Sequence, residues 1–196
     1  MARRTSSKTR RRRSRSTRQT LINQLGRAIA LLIVLCLVLL LNRYCGMETQ
    51  ELGSGAKLVA IDGDTLRANS GEEYRIFAID APELHQTCTD AKGKAWDCGR
   101  AAKLELAKLI EGGEVSCIEK ATDRYGRNIA QCSARGAPDI GEAMVREGLA
   151  IDLGRQTGYA YAGAENEARS QGKGMWAGTF QRPSEWRQQN PRTDRA

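Results

Sequence analysis

Two arginines and three acidic residues lie along the middle of the chain at spacings that suit chemistry on a phosphoester. Asp64 follows an aspartate-glycine turn. Asp80 and Glu83 lie on either side of Pro82, where the predicted strand ends. Carboxylates gathered at strand ends repel one another unless a cation neutralises them, and oxygen donors without a cysteine or histidine pattern favour Ca²⁺ or Mg²⁺. Arg75 and Arg127 suit a phosphate because a guanidinium donates two parallel hydrogen bonds and stays charged.

Each part of this pattern also has an ordinary structural explanation. Asp62-Gly63-Asp64 is typical of a hairpin turn, and the turn is the better explanation when the motif is taken alone. Arg75 and Arg127 would by themselves be solvated residues of a strand and a loop. The combination favours a site, because two arginines opposite a divalent ion would stabilise the extra charge of a pentacovalent phosphorane.

The elements that must position these residues form a small α+β domain. The predicted elements are strands at 58–61, 65–68 and 73–79 joined by turns, a helix at 100–111, strands at 115–118 and 128–133, a helix opened by a capping box at Asp139 and running through Gly148, and a helix at 162–171. The first three strands read as a meander. Five strands with helices between and after them predict a small OB-like β-barrel capped by three helices.

The basic residues of the chain are concentrated at its N-terminus. The net charge is +8, yet residues 1–20 hold nine of the 31 basic residues and no acidic one, which leaves 22 basic against 23 acidic residues elsewhere. The domain therefore lacks a broadly basic surface, and affinity for nucleic acid must come from local arginines or a bound cation. The tail itself fits nucleic acid or anionic lipid, and we favour lipid and a role in membrane topology.

An apolar segment follows the basic tail directly. Residues 28–41 are all apolar, which gives about 21 Å of helix against a hydrocarbon layer of about 30 Å, and the span becomes adequate when residues 21–45 are counted. No clear small-residue cleavage site follows, so a signal anchor is favoured over a cleaved signal peptide, which would give a secreted form. The anchor would hold the protein in a bacterial inner membrane. The positive-inside rule then predicts that the basic tail stays in the cytoplasm and that the domain lies in the periplasm or outside the cell.

The predicted organisation therefore has five parts. They are a disordered basic tail at 1–20, a transmembrane or signal-anchor helix at 21–45, a linker at 46–56, the folded domain at 57–187 and a disordered tail at 188–196.

Four cysteines lie in the predicted domain and allow three pairings. Cys117 and Cys132 fall on neighbouring predicted strands, where opposed positions come within bridging distance. Cys88 and Cys98 would then close the loop that follows Glu83. Disulfides require an oxidising compartment, which agrees with the topology. The alternative is a zinc site, but the spacings lack paired C-x₂₋₄-C ligands, and His85 is the only histidine.

Three runs of the sequence resemble the motifs of the staphylococcal nuclease, or thermonuclease, family. They are IDGDT at residues 61–65, YRIFAIDAPE at 74–83 and TDRYGR at 122–127. The resemblance continues through MVREGLA at 144–150 and the segment 165–176, and it covers residues 57–187. The order and spacing of the motifs make it highly specific.

The resemblance implies an OB barrel with three helices and Ca²⁺-dependent hydrolysis of DNA and RNA. Asp64 and Asp80 match the metal-binding carboxylates of the family. Ala81 stands where the family prototype has threonine, and because the expected metal contact is a backbone carbonyl, alanine should suffice.

The resemblance also implies the roles of the remaining site residues. Glu83 matches the proposed general base, and Arg75 and Arg127 match the phosphate-binding arginines, so these three are the expected catalytic residues. Tyr125 matches a tyrosine that contacts the nucleotide.

The sequence departs from the family after Ala150. Residues 151–154 replace a tyrosine-bearing segment of the prototype, so base stacking would use other groups, with Tyr159 or Tyr161 as candidates. His85 follows Glu83 closely and could be considered as a general acid, but a surface-loop histidine is the better interpretation.

These observations favour a membrane-tethered, extracytoplasmic, monomeric nuclease that acts on DNA and/or RNA. The alternatives are a non-catalytic OB-type module that binds nucleic acid or protein, and a structural envelope protein with a vestigial domain. A degenerate domain should have lost at least one of the five charged site residues, and all five are present. The sequence therefore favours the enzyme.

Overall fold

The computed structural model describes residues 10–45, 51–52 and 57–191, and it describes side chains for residues 22–39 and 57–191. The chain divides into two units, Met1–Glu48 and Thr49–Ala196. The described residues leave out part of each predicted tail, residues 1–9 and 192–196, and the predicted linker apart from residues 51 and 52.

The first unit contains one long helix, α1 (Arg10–Cys45). Its window Ile22–Leu39 has a mean hydropathy of 2.2 and is long and apolar enough to cross a membrane. A signal sequence has a similar length and composition, so the helix is consistent with either a signal anchor or a cleaved signal peptide. α1 begins at Arg10, inside the segment predicted to be disordered, because arginine is a good helix former that can extend the apolar helix backwards.

The second unit alternates short strands with helices. Its described elements are β1 (Glu51–Leu52), β2 (Leu58–Ala60), β3 (Thr65–Ala68), β4 (Glu73–Ile76), β5 (Ile79–Asp80), β6 (Cys88–Thr89), β7 (Ala95–Trp96), α2 (Cys98–Ile110), β8 (Ser116–Thr122), β9 (Asn128–Ser133), α3 (Ile140–Arg146), β10 (Ile151–Asp152), α4 (Ala162–Gln171) and α5 (Pro183–Gln189), with 3₁₀ turns at Gly154–Thr157 and Gly174–Ala177.

Six of these strands form one sheet in the order β1-β8-β9-β4-β3-β2. β4 and β9 run parallel, and the other neighbours are antiparallel. β2, β3 and β4 are the predicted meander, and β8 and β9 complete the five predicted strands. The two-residue strand β1 adds an edge from within the predicted linker. The α+β class and the OB-type arrangement are confirmed.

The strand predicted at residues 73–79 is wrong in its second half. β4 ends at Ile76, and Ala78 has a φ of 64°, which turns the chain out of the sheet. β5 then pairs with β10 instead. A left-handed alanine costs on the order of 1 kcal/mol and must be held by surrounding contacts. The turn at Ala78, rather than Pro82, therefore sets the direction of Asp80.

The helices cover the sheet with apolar faces. α2 begins at Cys98, two residues earlier than predicted, and buries Ala102, Leu106 and Ile110 as its period requires. At the predicted capping box, the Asp139 side chain accepts a hydrogen bond from the backbone N–H of residue 142, and α3 ends at residue 146, two residues before the predicted end. α5 was not predicted, and it extends into the predicted disordered tail.

The turn before β3 packs directly against the core. A Cβ atom built on Gly63 would lie 2.7 Å from the Cβ atoms of both Ala81 and Ala102. Only glycine fits there without a shift of the chain, so the turn can bring Asp64 up against residue 81 and α2.

The four cysteines of this unit are bonded as Cys88–Cys98 and Cys117–Cys132. Cys117 and Cys132 are directly opposed in the β8–β9 register. Cys88 and Cys98 join β6 to the start of α2, where they are buried with Met175 in a small second apolar cluster. The Cys88–Cys98 disulfide therefore closes the segment that follows Glu83.

Candidate active site

Two buried carboxylates form the centre of the site. Asp64 ends the turn before β3 and is 4% exposed, and Asp80 ends β5 and is 2% exposed. The backbone N–H of Asp64 donates to Asp62 Oδ1 at 3.0 Å, which fixes the turn. Because acidic side chains are almost never fully buried without partners, both carboxylates require positive charge nearby.

Arg75 supplies the first positive charge and joins the two carboxylates. It lies on β4 opposite Thr65 of β3. Its Nη1 is 2.9 Å from Asp64 Oδ1, and its Nη2 is 2.8 Å from Asp64 Oδ2 and 3.3 Å from Asp80 Oδ1. A single guanidinium therefore contacts both of the predicted metal-binding carboxylates, Asp64 and Asp80.

Arg75 alone does not neutralise the carboxylates around Asp64. Burial raises the pKa of Asp64 to about 7, the Arg75 charge opposes that rise, and the carboxylates of Asp62 and Asp80 add to it. A further positive charge beside Asp64 would favour its ionised form.

The donor set at this corner fits a hard divalent cation. Carboxylate and backbone carbonyl oxygens are the ligands that such ions prefer. The N–H of Ala81 donates to Asp64 Oδ2 at 3.2 Å, which places residue 81 beside both carboxylates. Within the side chains that the structure describes, no three acidic, histidine or cysteine groups form a ready cluster for an ion, and guanidinium groups contact the carboxylate oxygens instead. A cation held by Asp64 and Asp80 would therefore share these carboxylates with the arginines.

Glu83 is fixed by the backbone around it. Its N–H donates to Gln86 Oε1 at 3.2 Å, and its carbonyl accepts from the N–H of Gln86 at 2.8 Å. A Cβ atom on Gly99 would lie 1.7 Å from the Glu83 carbonyl oxygen, so this loop lies directly against the first turn of α2. The side chain of Glu83 is 14% exposed and lines a cavity described below.

A third arginine, Arg187 of α5, contacts the same acidic residues and was missed by the sequence analysis. Its Nη1 is 2.9 Å from Asp80 Oδ1 and 3.0 Å from Glu83 Oε1, and its Nη2 is 3.3 Å from Asp80 Oδ2. Burial opposes the charge, but hydrogen bonds to Asp80 and Glu83 raise the pKa of Arg187 above its usual value. Pro183 at the start and Glu185 in the first turn could have indicated the helix, but not its partners.

Arg127 lies in the loop between β8 and β9 and pairs with Asp123. Its Nε and Nη2 lie 2.8 and 2.7 Å from Asp123 Oδ2. Burial disfavours the Asp123 charge, yet hydrogen bonds from Arg127 and Tyr125 hold the pKa of this carboxyl below its usual value. The guanidinium groups of Arg124 and Arg127 lie 4.9 and 5.7 Å from the centre of the Tyr125 ring. Arg127 is therefore positioned by its own loop and not by the buried carboxylates.

A cavity of about 800 Å³ brings these groups together. Its lining includes five of the predicted site residues, Arg75, Asp80, Glu83, Tyr125 and Arg127. Asp64 joins them through its contacts with Arg75. α5 and the residues after it also line the cavity, through Trp186, Arg187, Asn190 and Pro191. The volume falls in the range of sites that hold small ligands or parts of larger ones.

The other aromatic and histidine candidates lie elsewhere. Tyr161 is 7% exposed, and its hydroxyl lies 3.0 and 2.9 Å from the carboxylate oxygens of Asp139, so its proposed role in base stacking is wrong. Tyr159 is 57% exposed but is not among the residues that line the cavity. His85 is exposed, as expected for a surface-loop residue.

Comparison with known proteins adds evidence that does not depend on this geometry. The model of the family described as "Staphylococcal nuclease homologue" matches residues 73–178, which is more than half of the chain. The matched range includes β4, the Glu83 loop and the Arg127 loop, and it ends before α5.

Several curated proteins are similar over most of their length. The "Succinoglycan biosynthesis protein ExoI" of Rhizobium meliloti is 30% identical over 135 residues, which cover 66% of this chain and 70% of that protein. An "Uncharacterized endonuclease" of Escherichia coli is 30% identical over 127 residues, with 63% and 76% covered. The "Micrococcal nuclease" of Shigella flexneri is 32% identical over 142 residues, with 65% and 76% covered. The chain therefore belongs to the staphylococcal nuclease family and is a nuclease of the hydrolase class.

Proposed function

We propose that this nuclease hydrolyses phosphodiester bonds of DNA and/or RNA with the help of Ca²⁺. The observation that supports the proposal best is the contact of Arg75 with both Asp64 and Asp80 on the wall of a cavity that Glu83 and Arg127 also line. A proposed metal-binding carboxylate, Asp80, the proposed base and both proposed phosphate-binding arginines therefore line one cavity.

The acidic residues would divide between cation binding and proton transfer. Asp64, Asp80 and the carbonyl of Ala81 would hold the cation, and their all-oxygen character supports Ca²⁺. When bound, a divalent cation polarises a phosphate oxygen and lowers the barrier to attack. Glu83 would accept the proton of a water molecule whose oxygen forms the new bond to phosphorus. The ester P–O bond breaks, and the leaving oxygen takes the electron pair and a proton from solvent.

The arginines would act on the charge that develops during this attack. Arg75 lies next to the acidic corner and can donate hydrogen bonds to a non-bridging phosphate oxygen once its carboxylate partners are shared with a cation. Arg127, 32% exposed in its side chain, approaches the same cavity from a different loop. Donors on two sides of a phosphate stabilise a pentacovalent transition state more than the ground state.

The same proposal includes a location outside the cytoplasm. α1 is long and apolar enough to anchor the chain in a membrane, and a basic segment precedes its apolar window. Both disulfides of the second unit favour an oxidising compartment. A membrane-anchored monomer that faces the periplasm is consistent with both features, and a cleaved, secreted form would carry the same site.

The test is cleavage by the full chain, purified in detergent. We expect release of acid-soluble nucleotides from single-stranded DNA or from RNA in Ca²⁺, and loss of this activity in EGTA. Glu83→Gln should lower kcat by about a hundredfold or more, as loss of a general base does. Its melting temperature should stay within a few degrees of the wild type, because the lost charge pair with Arg187 is worth about 1 kcal/mol. His85→Gln alters a neighbouring exposed residue and serves as the matched control. Intact DNA and RNA after incubation with calcium-loaded protein would refute the proposed function.

A further inference from the structure

An aromatic ring in the cavity would bind a nucleotide base by stacking. Tyr161 is buried against Asp139, and Tyr159 lies outside the cavity lining. The aromatic residues that line the cavity are Tyr125 and Trp186. Base recognition by a stacked ring therefore has two candidates among the described residues.

Tyr125 and Trp186 differ in their surroundings. The guanidinium groups of Arg124 and Arg127 both lie close to the Tyr125 ring, as cation–π partners do. Trp186 lies on α5, half-buried, with its backbone carbonyl accepting from the N–H of Asn190 at 2.9 Å. Tryptophan also presents a larger flat surface than tyrosine, which suits stacking on a purine or a pyrimidine.

α5 is fixed against the loop that holds the proposed base. Gln86 is fully buried, and its Oε1 accepts from the N–H of Glu83 while its Nε2 donates to the Gln181 carbonyl at 2.7 Å, just before α5. At the other end of the helix, Arg187 contacts Asp80 and Glu83. Trp186 therefore lies next in sequence to the arginine that contacts the acidic residues, and it lines the same cavity.

We propose that α5 forms the base-binding wall of the nuclease site, with Trp186 as the ring on which a base next to the cleaved bond stacks. The proposal rests on the proposed function, because it assigns a subsite of the same cavity. Stacking needs an open base face, which a single strand offers and a duplex covers. It tolerates all four bases, so the site should prefer single strands without a strong sequence preference.

The experiment compares KM and kcat of variants of the full chain, purified in detergent, and so separates base binding from catalysis. Trp186→Leu removes the ring, Trp186→Phe keeps an aromatic ring, and Tyr159→Leu removes an exposed ring outside the cavity. For single-stranded DNA we expect Trp186→Leu to raise KM about tenfold with kcat almost unchanged, as loss of one base–aromatic stack predicts. Trp186→Phe should stay near the wild-type KM, and Tyr159→Leu should match the wild type.

A second readout does not depend on cleavage. In EGTA, a DNA trinucleotide should quench the tryptophan fluorescence of the wild-type chain, and the quenching should disappear in Trp186→Phe, which keeps Trp96 and Trp176. Wild-type KM in Trp186→Leu, equal losses in Trp186→Leu and Trp186→Phe, or a raised KM in Tyr159→Leu alone would each overturn the proposal. Quenching without any cleavage by the wild type would instead refute the proposed function and leave the base-binding wall supported.

Discussion

Two arginines contact the acidic residues of the site. Asp80 accepts hydrogen bonds from Arg75 and from Arg187, and Glu83 contacts Arg187 as well. A divalent cation and a guanidinium that approach the same carboxylate compete for its oxygens and repel each other. Arg187 should therefore affect cation binding more than any other residue of α5.

We predict that Arg187→Gln raises the affinity of the full chain for Ca²⁺. The variant removes the competitor at Asp80 and Glu83, and because Arg187 is 38% exposed in its side chain, solvent reduces the effect. An increase of about fivefold is expected, as for an ion pair worth about 1 kcal/mol. Isothermal titration calorimetry in detergent, without nucleic acid, measures it directly.

Arg67→Gln is the matched control for this prediction. Arg67 lines the same cavity, but it pairs with Glu73 at 2.6 Å instead of with Asp80 or Glu83. The two variants lower the net charge equally, so a general electrostatic effect would raise the affinity in both. Equal affinities in the two variants, or weaker binding after Arg187→Gln, would show that Arg187 does not compete with the cation.

At the residue scale, local motifs predicted most of the site. Asp80 and Glu83 are three residues apart, and Arg75 precedes Asp80 by five, so the sequence places them close together along the chain. The turn at Ala78 that directs Asp80 was not predicted. Arg187 follows Asp80 by 107 residues, and no periodicity connects them. Long-range contacts of this kind depend on how α5 packs, which a single sequence does not specify.

At the element scale, the Glu83 loop depends on its close approach to α2. The Gly99 N–H donates to the Gln86 carbonyl at 3.1 Å, and a Cβ atom at residue 99 would lie 1.7 Å from the Glu83 carbonyl oxygen. Cys98, the residue before Gly99, is bonded to Cys88 at the far end of the same loop. The loop cannot shift away from α2 without strain on this covalent link.

We predict that Gly99→Ala lowers both stability and activity. The added methyl group must displace the backbone that carries Glu83, which should cost about 1–3 kcal/mol, as over-packing does. Gly163→Ala on α4 is the control, since a Cβ atom there has no heavy atom within 4 Å and alanine favours a helix. Calorimetric melting of the full chain should show a lower Tm for the first variant and an unchanged or higher one for the second. Wild-type Tm and kcat in Gly99→Ala would contradict the proposed tight packing.

Element boundaries were predictable where the side-chain period was clear. The apolar face of α2 and the capping residue of α3 follow from the sequence pattern. The break between β4 and β5 did not, because Phe77 and Ala78 continue an apolar run and only tertiary contacts hold Ala78 at positive φ. That break matters for the site, since it directs Asp80 towards Asp64.

At the scale of the whole molecule, the two units have different chemical requirements. α1 exposes every side chain of its apolar window, a state that water does not favour and a lipid bilayer does. The second unit contains two disulfides, which a reducing cytoplasm would not maintain. The proposed single crossing of an inner membrane, with the N-terminus in the cytoplasm, would satisfy both requirements.

We predict that alkaline phosphatase fused after Ala196 is active in bacterial cells that express the full chain. Nine basic residues precede the apolar window and none of the first 20 residues is acidic, so the positive-inside rule retains the N-terminus in the cytoplasm. Replacing the arginines of residues 10–13 with glutamine should reduce the phosphatase signal by allowing the inverted orientation. The membrane fraction should contain the fusion if α1 is an anchor, whereas a shortened, soluble fusion would identify it as a cleaved signal. An inactive phosphatase beside an active cytoplasmic reporter would place the nuclease site in the cytoplasm, where its disulfides would not persist.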